Sequence, residues 1–437
     1  MTTTSKEKIL GEGFRPLEDY RYYALYCNRC SNCKIMDAVY LRSSRFLHIC
    51  PIFAKHVCDA YSAQGMMDIA LGILDGTLDY TPKLLDILYK CTLCGGCDIM
   101  CKRSFDLEPL LVIEGLRIKA VKDGKGPMRE HVELKKNLER TYNIYGKAHT
   151  DRLKWIPEEI KPAKKANTLY FVGCAPAYKH KKIAQATARI FKATGTEFMV
   201  SENERCCGYH LFATGQIDAA RKLMEHNLNI IQKLGVERVI TSCAACYKTI
   251  KVDYPKLLRK STKDLGFEIL HITEFMEQSI KNGTLKLPKN VEMRVTYHDP
   301  CLLGREGEPW EHWEGTRDKW GCYKPIKKWR RGTYGVYDHP REILRSIRGI
   351  ELREMERIRE NTWCCGAGGG VKQAFPDFAL WVAKERLEEA KKTSVEAIIT
   401  ACPFCKENLG DAIEAEKAAI KVYDITELVA RTLEGGD

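Results

Sequence analysis

Val236-Glu237-Arg238-Val239-Ile240-Thr241-Ser242-Cys243-Ala244-Ala245-Cys246 is a short β-prone run that ends in a Cys-x-x-Cys pair. The arrangement returns as Val395-Glu396-Ala397-Ile398-Ile399-Thr400-Ala401-Cys402-Pro403-Phe404-Cys405, at an offset of 159 residues. Cys206-Cys207-Gly208 matches Cys364-Cys365-Gly366 at 158, and Ile272-Thr273-Glu274 matches Ile425-Thr426-Glu427 at 153. Cys174 pairs with Cys301 at only 127, which puts an insertion of 31 residues in the second copy, between Cys301 and Cys364. Two duplicated modules are the simplest account. In each, β-prone runs (Asn167 to Val172, Val291 to Tyr297) lead to a cysteine, and amphipathic stretches (Ile217 to Leu234, Pro376 to Lys391) have helix length. Strands alternating with helices predict a mostly parallel sheet. Cysteines at strand C-termini sit where such sheets place their sites.

Working outward, the chain has 437 residues, enough for about three domains at roughly 150 each. With 44% hydrophobic and 29% charged residues it is globular in composition, neither disordered nor coiled coil. No stretch approaches the roughly 18 uncharged apolar residues of a membrane span, and Met1-Thr2-Thr3-Thr4-Ser5-Lys6 leads into no apolar segment of a secretory signal. A cytoplasmic protein is expected, with any membrane association made through a partner subunit. The formal charge of +12 suits a solvated surface or acidic partners; without a recognition motif it does not argue for nucleic acid. Twenty cysteines are the anomaly. In a reducing compartment, clustered cysteines read as metal ligands or redox groups rather than disulfides.

Nine cysteines precede residue 102, and none follows until Cys174. Cys27-x-x-Cys30-x-x-Cys33 and Cys91-x-x-Cys94-x-x-Cys97-x-x-x-Cys101 have the spacing of bacterial [4Fe–4S] runs. Three thiolates two residues apart wrap one turn of backbone around three corners of a cube, and a distant cysteine closes the fourth. In two-cluster ferredoxins the fourth cysteine of each run serves the other cluster. By that rule Cys101 completes the set Cys27, Cys30 and Cys33, while Cys50, before Pro51, completes Cys91, Cys94 and Cys97. The first run departs from the pattern, with 16 residues between Cys33 and Cys50, and Cys101 is followed by Lys102 rather than proline. Cys58 therefore competes as a fourth ligand, and otherwise reads as a buried free thiol. Zinc also accepts Cys-x-x-Cys pairs, but complete triplets are the cluster pattern.

Each later module contributes one cysteine, then Cys-Cys-Gly, then Cys-x-x-Cys. The sets are Cys174, Cys206, Cys207, Cys243, Cys246 and Cys301, Cys364, Cys365, Cys402, Cys405. Five thiolates exceed the four corners of a cubane, and adjacent cysteines do not easily share one. The glycine after each pair permits a turn of positive φ close to a metal. With Tyr297-His298-Asp299-Pro300-Cys301, Gly335-Val336-Tyr337-Asp338 and Cys364-Cys365-Gly366-Ala367-Gly368-Gly369-Gly370, this arrangement resembles the CCG-domain family. That family includes the B and D subunits of heterodisulfide reductase, the sulfite-reduction-associated K subunit, and the iron–sulfur subunits of glycolate oxidase and anaerobic glycerol-3-phosphate dehydrogenase. The order, ferredoxin domain then two CCG domains, looks most like the D subunit of heterodisulfide reductase, or its C and B subunits fused.

The resemblance implies a noncubane [4Fe–4S] cluster in each five-cysteine set. It implies an oxidoreductase acting on a sulfur group, as one component of a complex: the two sites face each other and split a disulfide, such as CoM-S-S-CoB or that of a partner protein, with electrons relayed through the two cubanes. Several relatives instead serve flavin dehydrogenases, so a chain that only relays electrons between a flavoprotein and a quinone is the alternative. No GxGxxG element opens a βαβ unit, so no flavin or nicotinamide is expected on this chain. The electrons would come from a flavin-containing or cytochrome b subunit.

The expected fold class is α+β. A helical ferredoxin-type domain (1–125) and a helical linker (126–166) precede two duplicated α/β domains, 167–285 and 286–437, with an insertion at about 305–334. His210 and His298, close to the ligand cysteines, are candidate proton donors to a leaving thiolate; orienting a loop by hydrogen bonds is the alternative. Gly366 to Gly370 lacks the Lys-Ser/Thr of a phosphate loop and reads as close backbone approach to a cluster. The insertion carries Trp310, Trp313, Trp320, Trp329, Arg330 and Arg331, residue types favoured at binding surfaces, and suggests a docking surface or lid. Cys322 lies outside the pattern.

Overall fold

A computed structural model describes residues 16–433 apart from 37, 41, 104, 106, 259–262, 309–314, 321 and 327–329. The fold class read from the repeat is the one observed: helices before residue 141, then two α/β modules with parallel sheets.

Helix Ala63–Leu74 starts on Ser62, whose hydroxyl accepts from Gly65 N–H, and Pro82–Tyr89 starts on Thr81 in the same way with proline at its first position. Ala63–Leu74 packs on Pro109–Lys122. The latter is buried nearly all round, its Glu114 and Arg117 included, because it lies between the N-terminal helices and the modules. Arg117 donates to the carbonyls of Leu88 and Cys91 on one side and to those of Ala213 and Gly369 on the other. One guanidinium thus ties the helical region to both modules.

In the first module β1 (Thr168–Tyr170), β2 (Arg238–Thr241) and β3 (Glu268–His271) pair in parallel in that order. A single parallel bridge, Leu169 to Met199, extends the sheet beyond β1. The second sheet has the order β7-β4-β8-β9, with β4 Met293–His298, β7 Ile350–Leu352, β8 Ala397–Thr400 and β9 Lys421–Asp424. The two orders superpose: β4, β8 and β9 stand for β1, β2 and β3, and β7 stands where the first module has its bridge. The strands β1 and β8 are buried throughout and β2, β3 and β4 are buried beyond their first one or two residues, as parallel strands covered on both faces are, while the edge strands β7 and β9 stay partly exposed.

The repeated Ile-Thr-Glu has a local cause. His271 and Asp424 each cap a helix, accepting from the backbone N–H of Thr273 and Thr426, while Glu274 and Glu427 reach back to the cap residue's own N–H. Both are capping boxes. The capped helices, Ile272–Lys281 and Ile425–Thr432, then make the contacts between modules. Ile425–Thr432 packs on Lys181–Ala193, and Ile272–Lys281 packs on Asp338–Ser346. Each contact joins the last helix of one module to the first long helix of the other, so the interface is isologous about a pseudo-twofold axis.

The insertion is not one loop. Its first residues, 305–308, are buried. A hairpin of two-residue strands, β5 (Thr316–Arg317) and β6 (Tyr323–Lys324), follows. Among the described residues no helix is long and apolar enough to cross a membrane.

Candidate metal centres

The two N-terminal runs share one backbone device. Arg29 and Ser31 flank Cys30 with positive φ, and Leu93 and Gly95 flank Cys94 likewise. Left-handed residues on either side of the central cysteine curl each run around a hollow. One hollow, about 380 Å³ with its open mouth, is lined by Cys27, Cys30, Cys33 and Cys101 among Ala63, Met67, Phe105, Leu107 and Pro109. The other, about 370 Å³, is lined by Cys50, Cys91, Cys94 and Cys97 among Ile52, Met66, Leu110 and Ile113. Each draws three cysteines from one run and the fourth from the other. Cys58 lines neither; it is exposed, in contrast to the buried thiol expected.

All ten cysteines of the two five-cysteine sets are buried. Their sulfurs touch in the same order in both modules: Cys174–Cys206–Cys207–Cys246–Cys243 and Cys301–Cys364–Cys365–Cys405–Cys402. Three segments bring each set together. Cys174 and Cys301 follow the ends of β1 and β4, and Cys243 and Cys402 follow β2 and β8 at the head of the next helix. The Cys-Cys pairs sit on the turns that Gly208 (φ +95°) and Gly366 (φ +91°) make. Glu204 ties down the loop before Cys174, accepting from Val172 and Gly173 N–H while paired with buried Arg152. Gly173 is needed there, because a Cβ would stand 2.7 Å from Cys246 Sγ.

Four sulfur-lined sites without a disulfide among the twenty cysteines fit iron–sulfur clusters by the chemistry of their donors. Burial pushes the Cys33 and Cys91 thiols up to about 11 and Cys101 up to about 12. Such thiols ionise only against a metal, so loading would release protons.

The modules are not equivalent. Cys94 of the second hollow touches Cys364 of the second module. Buried Arg305 locks that junction, donating to the carbonyls of Cys94, Glu360 and Thr362. Tyr209, which follows the first Cys-Cys-Gly, accepts from Gly369 N–H in the second glycine run. The glycine run lies against cluster-run backbone, since Cβ atoms on Gly368 and Gly369 would meet the carbonyl oxygens of Thr92 at 2.8 Å and Cys91 at 2.6 Å.

His298 and His210 are both buried, and burial lowers them to about 3 and about 4. Arg386 Nε donates to His298 Nδ1 at 3.1 Å, which assigns the ring proton to Nε2. A ring nitrogen of His298 lies within 4.8 Å of the Cys365 and Cys405 sulfurs. His210 has no hydrogen-bond partner on either ring nitrogen and packs edge-on, at 5.1 Å, against Phe404 of the other module. Neutral rings offer one N–H each, so the geometry suits hydrogen-bond donation to sulfur rather than release of an imidazolium proton.

In the insertion, Trp320 and Cys322 are exposed on the hairpin, and Arg331 is exposed beyond it. Arg330, expected on a docking surface, is turned inward, donating to the carbonyls of Glu306 and Glu308. A guanidinium close to Glu306 and Glu308 gains more from those buried acceptors than from water. Trp310, Trp313 and Trp329 lie outside the described residues. Arg117, Arg305, Arg386 and the Arg152–Glu204 pair escaped the sequence reading because each is an isolated residue with no motif. Only the spacing of Arg305, four after Cys301, offered a signal.

Residues 23–105 match the 4Fe-4S dicluster domain, and residues 168–251 and 321–410 match the cysteine-rich CCG domain. The chain is 36% identical to the D subunit of the dihydromethanophenazine:CoB–CoM heterodisulfide reductase of Methanosarcina acetivorans, over 93% of each protein. The chain belongs to the family of heterodisulfide reductase D subunits. It is an iron–sulfur oxidoreductase. Members of the wider group are also similar: the B subunit of a fumarate reductase (CoM/CoB) from Methanothermobacter marburgensis is 34% identical over 78% of this chain and 61% of its own length. An EtfAB:quinone oxidoreductase from Syntrophomonas wolfei is 26% identical over 80% and 47%.

Proposed function

We propose that this chain is the disulfide-reducing component of a heterodisulfide-reductase-like complex. Two cubane [4Fe–4S] clusters would be held by Cys27, Cys30, Cys33 and Cys101, and by Cys50, Cys91, Cys94 and Cys97. Two noncubane clusters would be held by the five-cysteine sets. Bound there, the clusters would supply single electrons and an iron on which a released sulfur can rest. The protein's part is positioning. Arg117 and Arg305 hold the cysteine loops against one another, the burial of the ten cysteines of the two sets excludes water, and the pseudo-twofold interface brings the modules together. His298, a ring nitrogen of which lies within 4.8 Å of the Cys365 and Cys405 sulfurs, would stabilise thiolate charge there by donating its Nε2–H, which has no other partner. In the overall reaction the S–S bond of R–S–S–R′ breaks, two electrons and two protons are consumed, and two thiols form. The electrons come from a flavin-containing or cytochrome b subunit, which also makes any membrane association.

The observation that carries this reading is the completeness of both five-cysteine sets, with one order of sulfur contacts in both. The test is anaerobic: the purified chain should hold about 16 iron atoms for four clusters and oxidise reduced viologen when given CoM-S-S-CoB or a partner protein's disulfide. Full iron content with no turnover on any disulfide sinks the proposal. That outcome favours the second reading, an electron carrier linking a flavoprotein to a quinone, which the similarity to an EtfAB:quinone oxidoreductase supports.

A further inference from the structure

Where the helical region and the two modules meet, the interior holds a continuous group of ionisable side chains that the cysteine sites do not use. Lys102 pairs with Glu108 at 2.6 Å and Asp98 at 3.6 Å beneath the cysteine hollows. Glu306 lies 3.8 Å from Arg330, and its carboxylate rests against Gly95, between Cys94 and Cys97. On the other side Lys248, two residues after Cys246, pairs with Asp253 at 2.6 Å and sits 5.1 Å over the ring of Phe212. Glu114, from helix Pro109–Lys122, faces Lys248, Lys256, Asp253 and Glu306. Asp253 faces Lys248, Lys256 and Glu306 in turn, and Arg117 lies near Glu114 on its own helix.

Two carboxyls stand out. Asp253 has no exposed surface, and its Oδ2 has no hydrogen-bond partner, although its Oδ1 is paired with Lys248. Glu114 is 6% exposed, and burial pushes its carboxyl up to about 7, at which pH it holds a proton about half the time. Burying such groups is expensive, and packing alone would be served by apolar residues. An electron added nearby in a low dielectric raises the cost of each carboxylate charge further, by a term that falls only slowly with distance.

We infer that Glu114 and Asp253 form a proton-uptake site linked to reduction of the cysteine-held centres. When an external one-electron donor reduces the centre nearest this group, up to one proton from bulk water forms an O–H bond at a carboxylate oxygen of Glu114 or Asp253, balancing the added charge. On reoxidation that bond breaks and the proton leaves. The inference requires bound clusters but not that a disulfide is the substrate, so it stands or falls separately from the proposed reaction.

The test is a redox titration of the cluster-loaded protein, read by visible absorption and EPR, at several pH values from about 6 to about 8. The midpoint potential should fall as pH rises in the wild type. The slope should be reduced across that range in Glu114→Gln and in Asp253→Asn, with Glu114→Asp retaining it. Equal slopes in wild type and Glu114→Gln overturn the inference, as does a wild-type potential that ignores pH. Should the variants lose iron, the wild type alone decides: a pH-indicating dye in unbuffered solution should report proton uptake on reduction by viologen, and none overturns it.

Discussion

Single residues separate positions that composition cannot. Cys50 and Cys58 are eight apart, yet one lines the second hollow and the other is exposed. Cys50→Ala should therefore lower the iron content by up to about four atoms, one cluster's worth, while Cys58→Ala should leave iron and the visible spectrum unchanged. Loss of iron in the second variant alone would reverse the ligand assignment. Arg305 tests positioning. Its guanidinium satisfies three carbonyls on two segments, those of Cys94 and Thr362 in buried bonds, and a buried carbonyl left unpaired costs about 1–3 kcal/mol. Arg305→Met should destabilise the protein by about 3 kcal/mol or more, seen as a lower thermal midpoint by circular dichroism. Arg305→Lys should recover little, since an ammonium cannot reproduce the planar fork.

Among the elements, much of the architecture was open to sequence reading because periodicity and repetition are local signals. The runs Ile217 to Leu234 and Pro376 to Lys391 are helices to the residue, and both Cys-x-x-Cys pairs follow the strands expected. The repeat also established the equivalence of β2 with β8, and its Ile-Thr-Glu is a capping box written out. The edge of the first sheet was illegible: it is one bridge, held by backbone bonds to Met199, with no strand pattern to see. Buried arginines and the carboxyls at the three-way junction were equally hidden, since nothing local distinguishes Glu114 from a surface glutamate. Duplication also conceals differences. Gly208 and Gly366 both need positive φ, but a Cβ at 208 would make only ordinary contacts at 3.4 Å, whereas at 366 it would stand 2.5 Å from the Ala379 carbonyl. Gly208→Ala should cost about 1–2 kcal/mol from the left-handed backbone, and Gly366→Ala substantially more. Comparing the urea midpoints of the two variants checks this, and equal losses would show that the Ala379 segment yields.

At the scale of the whole molecule, the two modules are held in register by more than their packed helices. Glu407, in the second module's helix Pro403–Ala415, bonds His180 and Lys179 of the first module at 3.1 Å each, and Lys372 of its own at 3.1 Å. Burial pushes the carboxyl up, but these three partners outweigh it and hold Glu407 at about 2, against an ordinary 4.5. A carboxyl whose pKa is depressed on folding adds stability above its unfolded pKa and loses it as pH falls toward the folded one. The tie should thus be complete above about pH 4.5, contribute about 2–3 kcal/mol there, and vanish as pH approaches about 2. Glu407→Gln should lower the urea midpoint at neutral pH, with the gap from wild type closing progressively below about pH 4.5. Because the partners lie on both modules, hydrogen exchange should quicken in Lys181–Ala193 and in Pro403–Ala415 together. A variant that loosens Pro403–Ala415 alone would show that the modules are held by their helices without this carboxylate.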